Sequence, residues 1–175
     1  QRLYIRKDWL DIAGVSAPTT IEEMIAVGEA FVEHKDEIAA AGGYDARRVI
    51  PFTMQKEITW AGSYSAEGMF NAHGASIGSY FDDGNGDLIA SVTSPEETLH
   101  TMYEKGILDQ DFTSKTTEQI QANIKAGYVG MVFGEWWLPK DALDDNIRAK
   151  ETADWTWVDI PSYGETQSLP VVDRI

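Results

Sequence analysis

The chain has no cysteine, so neither a disulfide nor a thiolate metal site can hold its fold. No apolar run approaches the roughly 20 residues that span a bilayer, and no basic-then-apolar signal segment opens the sequence. Cations are scarce: 14 Lys and Arg stand against 29 Asp and Glu, and the net charge of −15 repels phosphate backbones and anionic membrane surfaces. Nucleic acid is therefore not an expected partner. The acidity needs no cationic ligand to explain it, because negative charge spread along a chain serves solubility. The three histidines, His34, His73 and His100, lack the HxxxH or HxH spacing of a metal site and are expected on helix surfaces. Glycine-rich phosphate loops of the GxGxxG and GxxxxGK[ST] types are missing as well.

What is present suits a globular domain. Hydrophobic residues make up 43% of 175 and charged residues 25%, enough for one domain that buries about two thirds of its unfolded surface. The sequence starts on Gln1 and ends on PVVDRI, which reads as a strand in progress. Both ends are those expected of a segment of a longer protein, with any targeting signal lying elsewhere.

Periodicity places strands and helices alternately. LYI at 3 to 5 is a strand entering a short helix over RKDWLDIA, stopped by Gly14. Thr19 and Glu22 have the spacing of a capping box for a helix with Ile21, Met24, Ile25, Phe31 and Val32 on one face, running to about Glu37. AAAGGYDARR then reads as a loop, VIPFTM at 49 to 54 as a strand, and 64 to 73 as a helix. DGNG predicts a hairpin between two short strands. Ser94 with Glu97 and Thr116 with Gln119 cap two further helices, expected to be neighbours. YVGMVFGE is a buried strand, a helix follows Pro139, and TWVDIPSYG returns as a strand with Trp157, Val158 and Ile160. The class is α/β, helix-rich around a small mixed sheet.

Among chemistry-bearing patterns, Asp83, Asn85 and Asp87 alternate as in a calcium loop. That pattern would also want glycine at Leu88 and glutamate at Ser94, so a polar hairpin turn is the stronger reading and calcium the weaker. The carboxylates Asp36–Glu37, Glu96–Glu97, Asp141, Asp144 and Asp145 are neighbours that do not converge on one atom; they fit helix N-terminal charge and solvated faces better than acid-base work. The aromatics are more informative. Trp9, Trp60, Trp136, Trp137, Trp155 and Trp157 offer rings suited to sugar stacking as well as to a core. Trp9 and Trp157 are read as core. Trp136 and Trp137 leave the strand as neighbours whose side chains point apart, so at least one is expected to face solvent or ligand.

Two blocks carry a resemblance. LYIRKDWLDIAG followed by PTTIEEM, and MYEKGILDQDFTSKTTEQIQANIKAGYVGMVFGEWW, resemble segments of the extracellular solute-binding proteins of family 1, the lipoprotein-type binding components of ABC importers. The resemblance implies a type 2 periplasmic-binding-protein fold, of which residues 1–175 would be most of the second lobe. It further implies capture of an oligosaccharide between two lobes, delivery to membrane permeases, no catalysis, a monomer, and a cell-surface, lipid-anchored or periplasmic location. The GEWW match makes Glu135, Trp136 and Trp137 cleft candidates, with Trp60 and Tyr64 of TWAGSY beside them. Some relatives hold calcium after the long helix; the matching EHKDEIAAAGGYD keeps Asp36 and Glu37 without an oxygen-rich loop, so no metal or other cofactor is expected there. Two other readings stand beside this one: a secreted glycoside hydrolase or carbohydrate-binding accessory domain, and a tryptophan pair that merely plugs an interface with another lobe.

Overall fold

The computed structural model describes residues 1–57, 62–74, 80–82, 88–90 and 95–164. The elements run β1 (Arg2–Arg6), α1 (Lys7–Ala13), α2 (Ile21–Glu33), α3 (Lys35–Gly42), β2 (Ile50–Phe52), α4 (Glu67–Ala72), β3 (Tyr80–Asp82), β4 (Leu88–Ala90), α5 (Pro95–Glu104), α6 (Thr117–Lys125), β5 (Val129–Gly134), α7 (Ala142–Ala149) and β6 (Trp155–Val158). Four strands form a mixed sheet in the order β2-β5-β1-β6. β5 runs parallel to β2 and antiparallel to β1, which in turn is antiparallel to β6. β3 and β4 pair separately as the expected hairpin; its turn, with Asp83, Asn85 and Asp87, lies outside the described residues, as do Ser94 and PVVDRI.

Strand alternation sends side chains to two cores, one on each face of the sheet. Leu3, Ile5, Met131, Phe133 and Phe52 join Trp9, Phe31, Met69 and Met102 of the α1, α2, α4 and α5 side. Tyr4, Val129 and Val132 join Ile120, Ile124, Leu138 and Leu143 of the α6 and α7 side. The two helices expected to be neighbours, α5 and α6, do not share one core: α5 serves the first face, whereas α6 packs on α7 across the second. Trp9 is core as expected, its ring edge-on to Phe31 at 5.4 Å.

Three boundaries differ from the sequence reading. The first capping box is Thr20 with Glu23, one residue on from the expected pair. The Ile21 amide donates to the Ser162 carbonyl at 2.8 Å, and Thr20 bridges to Ser162, so a distant segment fixes where the helix starts. Thr19 still contributes, donating its amide and hydroxyl to the Glu23 carboxylate, which lowers that group's pKa. The helix then breaks at His34 and resumes as α3 through the stretch read as a loop, a change of direction that buries Ile38 and Ala39. The helix expected over 64 to 73 is confined to Glu67–Ala72. The α6 box, Thr116 with Gln119, is as predicted.

Two side chains are also placed otherwise than expected. His73 is buried, not on a surface: its ring stacks on Tyr163 at 4.1 Å and its Nε2 lies 3.0 Å from the Thr98 hydroxyl. Trp157 is 48% exposed rather than core, because β6 is an edge strand and the Arg2 guanidinium lies on its ring.

Candidate ligand-binding site

GMVFGEWWLP runs along β5 and then turns. The Leu138 amide donates to the Glu135 carbonyl at 3.1 Å, closing a β-turn with Trp136 and Trp137 at its two central positions. Leu138 folds back as a buried member of the second core, a path open because Gly134 has no side chain: a Cβ there would sit 2.3 Å from Leu138 Cδ2. Central turn positions point away from the chain that closes the turn. Trp136 is accordingly 66% exposed and Trp137 39%, so neither ring belongs to the core.

The turn is held from two sides. The Tyr4 hydroxyl donates to the Glu135 carbonyl at 3.0 Å, and the Glu135 amide donates to Ser63 Oγ at 2.9 Å. Ser63 belongs to a loop pinned between the ends of the parallel strands: the Tyr64 amide donates to the Phe133 carbonyl at 3.0 Å, and the Tyr64 carbonyl accepts from the Gln55 amide at 2.7 Å. Tyr64 pays for that position with φ +66°, the one non-glycine residue with positive φ among the described residues. For a bulky side chain such a backbone costs about 1–3 kcal/mol and persists only where surrounding structure over-determines it.

Tyr64 is 2% exposed, its ring in the second core and its hydroxyl pKa pushed up to about 12 by burial. The structure therefore sets it beneath the rim rather than on it. Beside it, Gln1 Nε2 donates to the Gly62 carbonyl, Ser65 Oγ and the Glu67 carboxylate, at 2.6, 3.3 and 2.8 Å.

The structure thus brings Glu135, Trp136, Trp137 and the loop around Tyr64 to one place, the carboxyl ends of the parallel strands β2 and β5, where α/β sheets carry their ligands. Trp60 lies outside the described residues. The sequence reading missed Ser63, which anchors the turn, and Arg2, the Cα partner of Gly134, whose guanidinium stacks 3.6 Å over the Trp157 ring. Alternation alone could have suggested Arg2, since it shares a sheet face with Tyr4.

Other clusters lie elsewhere. A cavity of about 250 Å³ at the amino ends of β2 and β5 is lined by Arg48, Ile50, Asp109, Lys115 and Tyr128 among others. Within it the buried Asp109 accepts two hydrogen bonds from Lys115, at 2.6 and 2.7 Å, and one from Thr53 at 3.2 Å, which gives the GILDQDF motif a structural role. An apolar hollow of about 260 Å³ lies between α5 and Phe112. No group of three His, Asp or Glu residues that could hold a metal occurs among the described residues. The string Gly74-Ala75-Ser76-Ile77-Gly78 has the spacing of a hydrolase elbow, but it follows the helix α4, not the strand such an elbow needs, and residues 75–79 lie outside the described ones.

No family model and no curated protein matches the sequence. Solved structures do match. An HMO-binding, ABC-transporter-associated solute-binding protein from Bifidobacterium longum infantis aligns over 94% of this chain and 34% of its own, at 20% identity and TM-score 0.65. The S. pneumoniae ABC-transporter substrate-binding protein FusA, in complex with kestose, aligns over 95% and 32%, at 20% and 0.65. A sugar transporter from Arthrobacter chlorophenolicus with bound laminaribiose aligns over 95% and 38%, at 17% and 0.63. The chain spans about a third of the length of these proteins. At such identities the likeness speaks for architecture, and it does so over nearly all of this chain: the fold is that of one part of an extracellular solute-binding protein.

Proposed function

We propose that the chain is most of the second lobe of the solute-binding component of an ABC importer, a non-enzymatic, monomeric protein of the cell surface or periplasm. It captures an oligosaccharide between two lobes and delivers it to membrane permeases. The observation that carries this reading is the turn at Glu135 to Leu138. It presents two unburied tryptophans and a carboxylate at the carboxyl ends of parallel strands, within a fold shared by sugar-binding relatives.

The chemistry agrees. A pyranose ring offers axial C–H groups to an indole face and hydroxyls to a carboxylate such as Glu135. One lobe supplies half a site, and closure of a second lobe supplies the rest while excluding water. Both tryptophan rings of the turn stand exposed, which supports a half-site. An anchoring lipid on the parent protein belongs to the same proposal.

Tryptophan emission titrated with neutral oligosaccharides to millimolar concentration tests the reading. Binding is expected to shift emission, and Trp136→Ala and Trp137→Ala together to abolish the shift. A flat response across sugars overturns it, whereas release of reducing ends from a polysaccharide would favour the hydrolase.

A further inference from the structure

Arg2 does not behave like the other described arginines. Arg6 grips Asp8, Arg47 grips Asp45 and Arg148 grips Asp144. Arg2 makes no ion pair among the described residues, in a chain with 29 acidic side chains; its guanidinium carbon lies over the half-exposed Trp157 ring, 3.6 Å from the centroid. Arg48 is also without a carboxylate, but it sits farther from its ring, 5.6 Å over Tyr128, at the opposite end of the sheet.

The position of Arg2 is specific. It pairs with Gly134, which leads directly into Glu135 and Trp136. Burial raises the pKa of the Tyr4 hydroxyl, Arg2 opposes that shift and Glu135 adds to it, so both charged groups lie within electrostatic reach of the hydroxyl that holds the turn. A stacked guanidinium keeps its N–H groups in its own plane, free at the edge. That edge matches a carboxylate, two parallel N–H to O bonds at once.

We infer that the rim of Arg2, Trp157 and the Glu135–Trp137 turn takes an acidic oligosaccharide, with the carboxylate of a uronic acid residue on Arg2 and the sugar face on an exposed tryptophan. This rests on the sugar-binding reading above and names its substrate class. Glu135 opposes the same carboxylate, so it accepts hydroxyl hydrogen bonds and limits affinity for the acid.

The test is a fluorescence titration of the chain with galacturonate, glucuronate-containing and mannuronate–guluronate oligomers, each beside its methyl ester, which has the same sugar without the charge. At least one free acid is expected to bind about tenfold tighter than its ester, a difference of about 1.4 kcal/mol. Arg2→Gln is expected to erase that preference, read as the ratio of acid to ester affinity within each variant; Arg2→Lys should keep part of it, and Glu135→Gln should widen it. Thermal melts of each variant check that the fold is intact. Equal binding of acid and ester, or a preference that survives Arg2→Gln, overturns the inference and leaves the sugar-binding reading standing. Failure of every sugar, neutral ones included, overturns both.

Discussion

The Tyr4 hydroxyl and the Glu135 carbonyl, 131 residues apart in sequence, are joined by a 3.0 Å hydrogen bond that ties the tryptophan turn to the neighbouring strand. The same carbonyl also accepts from the Leu138 amide, so losing Tyr4 as a donor does not leave it unpartnered. Tyr4→Phe should then cost about 1 kcal/mol, the usual net worth of such a bond. Urea denaturation measures that cost. Faster anisotropy decay of the exposed tryptophans would show the turn loosened; an unchanged decay would mean that Ser63 and Leu138 suffice to hold it.

Removing one member of the Asp109–Lys115 pair is expected to be severe. Both side chains are largely buried, and Asp109→Ala leaves the Lys115 ammonium without its counter-charge. A loss of about 3–5 kcal/mol follows from breaking a buried pair by one partner. The double variant Asp109→Leu with Lys115→Met should recover much of it. Equilibrium unfolding of the three proteins separates the pair's net contribution from the cost of an orphaned charge.

Two glycines of β5 should respond differently to alanine. At Gly130 the new Cβ would lie 2.6 Å from the Trp9 ring and 2.9 Å from Phe31, two large rings already locked edge to face. Overpacking there should cost about 1–3 kcal/mol. At Gly134 the obstacle is the end of the Leu138 side chain, which can rotate, so Gly134→Ala should cost less stability and instead disturb the turn. Chemical denaturation beside tryptophan emission distinguishes the two outcomes.

Stability should fall on the alkaline side. Burial pushes the Tyr44 and Tyr64 hydroxyls up to about 12, above the ordinary tyrosine value of 10.0. Between those values the unfolded chain releases protons that the folded one keeps, so the contribution is complete below pH 10 and lost as pH rises through 12. Melting temperatures followed from pH 9 to 12 should decline, and Tyr64→Phe should soften the decline without removing the share due to Tyr44.

Much of the fold was readable wherever a local signal and its tertiary setting agreed. The Thr116 capping box, the Gly14 stop and the buried run of β5 needed only their own neighbours. The misreadings came where distant residues decide. Thr20 rather than Thr19 caps α2 because Ser162 claims the Ile21 amide, and Trp157 is uncovered because its strand ends the sheet. At the candidate site, GEWW advertised a turn with rings to spare. For Arg2 the local signal was only its face, shared with Tyr4; its interest lies in its distant pairing with Gly134 and its place over Trp157.

The strand order β2-β5-β1-β6 has a kinetic consequence. The first strand of the sequence sits between the last two, so a ribosome must finish residue 158 before β1 has both its neighbours. Until β5 is made LYI has neither partner, and until β6 follows one of its edges stays open to pairing with other chains. Closing so long a loop before any contact rewards it makes for slow assembly. The four-stranded sheet should therefore be completed only once residue 158 has been made, however early β1 emerges.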